Sequence, residues 1–172
     1  MASAISKTTI ESNAYNNIFE VIDTRSNVAD PRDSEGKKLR TFLYDADPFA
    51  LSLGFSDYPY IVLEFPSIVQ SKETVDGKHK NVKWRHTIII RTARKGSGCS
   101  GTADTGRTDL FSISDDLIET FNKVSVRQPL LINGLKLINL DKVSSDTPNI
   151  DTVPLYEAVY ELTYEQRMKV SD

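Results

Sequence analysis

The dipeptide Asp76-Gly77 sits between two long runs of β-branched and aromatic residues, and it constrains this chain more than any other feature. A two-residue hairpin turn needs positive φ at both central positions, and Asp-Gly supplies them readily. With these residues at the turn, facing positions sum to 153, so Ile61 meets Thr92, Leu63 meets Ile90, Phe65 meets Ile88 and Val69 meets Trp84. All of these fall on one face of the hairpin. The other face receives Glu64, Gln70, Lys83, Arg85 and Arg91, interrupted by Val62, Ile68 and Ile89. Turn chemistry and hydrophobic alternation therefore give the same register. Pro66 has no N–H to donate, which predicts a bulge or an edge position there and a one-residue slip beyond it.

Each arm of such a hairpin holds about 15 residues and extends roughly 50 Å. A domain of 172 residues has a radius of gyration near ~16 Å. The hairpin is thus expected to project past the body that covers its base. Its end, Ser71 to Val82, is polar, and Asp76, Gly77 and Lys78 are candidates for reaching a neighbouring molecule.

Helical signals flank the hairpin. Thr8-Thr-Ile-Glu11 is a capping box, followed by Ala14, Ile18, Val21 and Ile22 on one face, with an expected end near Arg25 or Ser26. A second helix is expected from Thr108 to Val124, with Leu110, Ile113, Leu117, Phe121 and Val124 inward and Asp115, Asp116 and Glu119 outward. Pro129 is expected to end any helix, and Asn133-Gly134 to turn between strands Leu130–Ile132 and Leu135–Ile138. The last strand places Tyr156, Ala158, Tyr160, Leu162, Tyr164 and Met168 on one face, with Glu157, Glu161, Glu165 and Arg167 on the other. Residues 27–57 read as irregular, with a strand within Lys37–Tyr44. Residues 94–107 read as a flexible glycine-rich loop containing Gly96, Gly98, Gly101 and Gly106. Without βαβ alternation, the order predicts one α+β domain over residues 1–172: a mainly antiparallel sheet with a long hairpin and two helices on one face.

The segment Gly101-Thr-Ala-Asp-Thr-Gly-Arg-Thr108 matches the phosphate-loop pattern GxxxxGK[ST] except at Arg107. A phosphate loop follows a buried parallel strand directly, uses a compact lysine ammonium, and is served by a strand ending in a magnesium-binding Asp. Here several residues separate the loop from its strand, the lysine is missing, and Leu137-Ile-Asn-Leu-Asp141 is interrupted by Asn139. A linker rich in Gly, Ser and Thr accounts for it better, and a small nucleotide-binding enzyme is the alternative. His79 falls at the hairpin end as a solvated residue, and His86 on the inward face beside Trp84 and Ile88 as a satisfied, partly buried one. Cys99 has no local histidine to activate it. Asp115-Asp116 reads as charge at a helix N-terminus rather than as a metal site. The tyrosines of the final strand alternate with glutamates, where a nucleic-acid platform would want lysine and arginine. No cofactor, metal or catalytic residue is indicated.

A net charge of −3, with 21 basic and 24 acidic residues, argues against broad nucleic-acid binding. The single cysteine excludes an internal disulfide. The polar N-terminal segment MASAISKTTIESN is not expected to act as a secretory signal, and no apolar run approaches the roughly 18 residues needed to cross a bilayer. Pro48-Phe-Ala-Leu-Ser-Leu-Gly-Phe55 is apolar for a loop, so Phe49, Leu51, Leu53 and Phe55 are candidates for contact with another subunit.

The order of elements resembles the tail terminator, or tail-completion, proteins of long-tailed bacteriophages. The similarity runs from the helix after Thr8 through Tyr58-Pro-Tyr-Ile-Val-Leu-Glu-Phe65, Lys83-Trp-Arg-His-Thr-Ile-Ile-Ile90 and the helix ending near Val124 to the long strand Leu155–Met168. It lies in architecture rather than in a catalytic motif, and head–tail neck proteins share the plan. The resemblance implies a structural virion protein that is assembled in the host cytoplasm. It implies a homo-oligomeric ring, typically of six copies, on the end of the tail tube. There the ring stops polymerisation and faces the head connector. Its expected partners are the tail tube protein, the head-connector protein and further copies of itself. No membrane or specific nucleic-acid binding is expected, and the resemblance implies a ring lumen through which DNA can pass.

Overall fold

The computed structural model describes residues 10–24, 27–29, 40–43, 58–73, 78–94, 105–150 and 153–169. Among these residues, three helices and seven strands form an α+β fold in the order α1 (Ile10–Asp23), β1 (Arg40–Leu43), β2 (Tyr60–Leu63), β3 (Ser67–Glu73), β4 (His79–Ala93), α2 (Thr105–Asn122), α3 (Val124–Ile132), β5 (Leu135–Asp146), β6 (Asn149–Ile150) and β7 (Val153–Lys169). The sheet runs β1-β2-β4-β7-β5, with β3 also on β4 and β6 folded onto β7. Every pairing is antiparallel except β1 with β2.

The backbone of the sheet is the ladder between β4 and β7, which pairs every residue of β4 from His79↔Lys169 to Ala93↔Leu155. The alternation expected for the last strand holds: Tyr156, Ala158, Tyr160, Leu162 and Tyr164 are buried, while the residues between them are half-buried. Because β7 accompanies β4 to its first residue, the hairpin is not the free arm its length suggests. The turn residues Asp76 and Gly77 lie outside the described residues, and Lys78 is exposed.

The hairpin register follows the expected sum near the turn, where Gln70 pairs with Lys83 and Glu73 with Lys80. A bulge between Ile68 and Gln70 then shifts it by one, placing Ile68 rather than Val69 opposite Trp84. The connection Glu64–Pro66 absorbs a second residue, so Ile61 pairs with Ile90 and Leu63 with Ile88, not with Thr92 and Ile90. Phe65 consequently leaves the inner row and is 52% exposed instead of facing Ile88. A shift of two restores the alternation, which keeps Ile61 and Leu63 in the core.

The helices cover the inner face. Ala14, Ile18 and Ile22 of α1 and Leu110, Ile113 and Leu117 of α2 are buried against Ile61, Leu63, Ile88, Ile90 and the inward row of β7. Full burial of such a Leu or Ile side chain contributes roughly 1.5–3 kcal/mol. Helix α1 ends at Asp23, slightly before the expected position, and its last turn is closed by Thr24 Oγ1 donating to the Glu20 carbonyl (2.7 Å) and Asn27 Nδ2 to that of Val21 (2.9 Å).

Three helical expectations need correction. Helix α2 starts at Thr105 and stops at Asn122, so Asp115 and Asp116 lie in its middle and not at its N-terminus. Pro129 does not end a helix but sits inside α3, where it costs only the bond to the exposed Ser125 carbonyl. Leu130–Ile132 is therefore helical, and Asn133-Gly134 is the end of α3 rather than a hairpin turn. Gly134 has φ 88° and donates to the Leu131 carbonyl (3.1 Å), the left-handed closure that glycine tolerates best.

The outer face is braced by cross-strand ion pairs. Arg91 Nε lies 2.6 Å from Glu157 Oε2 and is almost buried, Arg85 lies 2.9 Å from Glu161, and Lys136 lies 3.9 Å from Glu165. A smaller cluster of Tyr58, Tyr60, Val62, Ala93 and Leu155 closes one end of this face.

Candidate functional site

The segment resembling a phosphate loop enters the structure only at its end. Gly96, Gly98, Gly101 and Cys99 lie outside the described residues, as do Phe49, Leu51, Leu53 and Phe55. Gly106 does not belong to a flexible loop: it is buried in the first turn of α2. A Cβ there would meet the Ala93 carbonyl oxygen at 2.1 Å, and the Gly106 carbonyl accepts from Thr92 Oγ1 at 2.7 Å. Glycine at this position brings the helix backbone directly onto the end of β4. The preceding strand β4 is antiparallel to each of β2, β3 and β7, whereas a phosphate loop follows a parallel strand.

Arg107 turns its side chain onto Tyr156. Its guanidinium carbon is 5.5 Å from the ring centre and its Nη2 donates to the phenolic oxygen at 3.4 Å. Arg94, the residue following β4, brings a second guanidinium to 5.4 Å from the same ring. Both arginines are exposed while Tyr156 is buried on β7, opposite Thr92. Each cation–aromatic contact of this exposed kind contributes about 0.5–1 kcal/mol. Beside the ring, α2 and the end of β5 form a groove of about 300 Å³ lined by Arg107, Leu110, Phe111, Ser145, Thr147 and Tyr156, with Asp146 and Glu157 at its wall. Glu157 is already engaged by Arg91, and Asp146 accepts from the Thr147 N–H at 2.7 Å.

The sheet has an exposed strand at either side. Residues 67–72 of β3 and 141–146 of β5 are exposed throughout, on both faces. Apolar side chains stand among them: Ile68 is 59% and Val143 55% exposed. Among the described residues, β3 pairs only with β4, and β5 only with β7. Both strands are bulged, β3 between Ile68 and Gln70, β5 between Leu137 and Asn139 and again between Lys142 and Ser144. Bulges disfavour indiscriminate pairing, because a partner strand must match the interruptions.

Among the described residues, His86 is the most strongly perturbed group. It is fully buried on the inner face, with its ring 5.6 Å from that of Tyr164 and 6.1 Å from that of Tyr15 on α1. Its Nδ1 lies 2.9 Å from the Glu64 carbonyl oxygen, which can only accept, so Nδ1 carries the hydrogen and Nε2 is the bare nitrogen. Burial pushes its pKa down to about 4, against the smaller opposing effect of the Glu64 bond. The ring is inward as expected, but fully rather than partly buried, and satisfied only at Nδ1, since Nε2 has no hydrogen-bond partner among the described residues.

Sequence reasoning missed the arginine pair and the exposed end of β5. Arg94 and Arg107 meet only because β4, α2 and β7 converge at Tyr156, and the β4–β7 register is not written in either strand alone. Among the described residues no cluster of three His, Cys, Asp or Glu side chains is placed to hold a metal ion, and no helix is long and apolar enough to cross a membrane. No protein-family model matches the chain, and no curated protein matches it.

Proposed function

We propose that this chain is a structural virion protein whose copies join into a ring that caps a phage tail tube, stops its polymerisation and faces the head connector. The observation that carries the reading is the pair of exposed edges on one sheet. Strand β3 runs antiparallel to β4, β4 to β7 and β7 to β5. A second copy presenting its β3 beside β5 would therefore run antiparallel to it, and the alternation would continue across the junction. Such a contact is head-to-tail, the kind that generates rings when the rotation closes. The likeness in element order to tail terminator proteins supplies the remainder: six copies, a tail tube on one side, a connector on the other, DNA in the lumen, and a place in the virion.

Light scattering after size exclusion, followed by negative-stain imaging with and without tail tubes, tests the reading. A ring is expected, either free or formed on tubes. Ile68→Glu and Val143→Glu should each abolish it while leaving the monomer folded. A wild-type monomer that ignores tail tubes overturns the proposal.

A further inference from the structure

The arginine pair on Tyr156 belongs to no ion pair of the sheet. Among the described residues neither Arg94 nor Arg107 has a carboxylate within ion-pair distance, and Glu157, at the wall of the groove beside Arg107, is held by Arg91. Both guanidiniums lie within 5.5 Å of one ring centre, which concentrates positive charge around Tyr156. Guanidinium forks match the planar geometry of a carboxylate through paired hydrogen bonds. The groove that Arg107 and Tyr156 border also offers apolar surface, from Leu110 and the half-exposed ring of Phe111, and the hydroxyls of Ser145 and Thr147.

We propose that Arg94 and Arg107 form a clamp for the carboxylate of an acidic side chain, presented by a partner polypeptide whose adjacent apolar residue enters the groove between α2 and the end of β5. The wall decides between anions. Asp146 and Glu157 flank the groove, which tolerates a single negative charge held against the two guanidiniums and repels a polyanion such as a nucleic-acid backbone. A volume of about 300 Å³ accommodates one or two side chains, not a folded domain. Ser145 and Asp146 of the groove also belong to the β5 edge assigned to the ring contact, so the clamp is tested on the unassembled chain, where its failure and that of the ring are read separately.

The test is an amide-resolved NMR titration of the full chain with acetyl-Phe-Glu-Leu-amide, with its Gln counterpart, with inorganic phosphate and with a short single-stranded DNA. The Glu peptide is expected to shift Arg107, Phe111, Ser145 and Thr147, and to bind about tenfold more tightly than the Gln peptide. Arg107→Lys should weaken it by a similar factor, because a point charge replaces a fork. The double variant Arg94→Gln/Arg107→Gln should abolish the shifts with its fold intact by circular dichroism. Equal binding of the two peptides, shifts elsewhere on the surface, or tighter binding of phosphate or DNA overturns the clamp. So does an absence of shifts at millimolar peptide.

Discussion

Acidification should destabilise this protein through His86, over a window set by its buried ring. The folded protein holds the imidazole neutral down to about pH 4, whereas an unfolded chain protonates it near its ordinary pKa of about 6.5. Between those values the unfolded state binds the extra proton and the folded state does not, so stability falls as pH falls from about 6.5 to about 4 and is unaffected above that window. A gap of about 2.5 units at 1.36 kcal/mol each amounts to roughly 3 kcal/mol. The readout is urea unfolding followed through Trp84, the chain's only tryptophan, at pH 7.5, 6, 5 and 4. His86→Gln serves as the reference because it cannot titrate while its amide can still donate to the Glu64 carbonyl. Carboxylates and His79 contribute equally to both proteins and cancel in the difference. At an m value near 2 kcal/mol/M, the wild-type midpoint should drop by about 1.5 M relative to the variant between pH 7.5 and 4. A stability difference that stays constant with pH would refute the buried, neutral placement of His86.

Other perturbations separate the roles of particular contacts. Gly106→Ala forces a methyl against the Ala93 carbonyl, a backbone clash expected to cost about 3 kcal/mol in thermal or urea unfolding. Gly134→Ala, strained only by its φ of 88°, should cost about 1 kcal/mol. Arg91→Ala strands the partly buried Glu157 carboxylate and should cost about 3 kcal/mol, while Lys136→Ala removes an exposed pair and should stay within about 0.5 kcal/mol. Charge at Ile68 or Val143 should leave the unfolding midpoint unchanged and alter only the sedimentation of the assembled species.

What could be read in advance depended on whether the determining forces were local. The inward row of β7 is a run of alternating side chains, and the structure follows it residue by residue. Asp76-Gly77 set the register of the hairpin only as far as its first interruption; Pro66 announced the one-residue slip at Glu64–Pro66, whereas the bulge at Ile68–Gln70 has no signature of its own. Asn133-Gly134 announces a change of direction but not which elements it joins; glycine closes a helix and a hairpin with the same left-handed backbone. Pro129 misled because its missing hydrogen bond falls at an exposed helix start, where water replaces it. The surfaces proposed for contact were the hardest to foresee. The meeting of Arg94, Arg107 and Tyr156 depends on the pairing of β4 with β7, a choice made by the whole sheet.

The two single-residue offsets between β2 and β3 have a consequence for how the chain can change. Each alone would turn every later side chain of the hairpin inside out, yet together they cancel like two errors of parity. The stretch from Glu64 to Val69 is thus a spacer bounded by compensating frames: the core at Ile61 and Leu63 answers to one, the hairpin end at Ser71–Glu73 to the other. Val69 has no partner in the ladder, and its loss alone would leave the offset at Glu64–Pro66 uncompensated. An exposed edge can through such paired offsets be lengthened, shortened or re-aimed toward a new neighbour while the buried rows on either side keep their count.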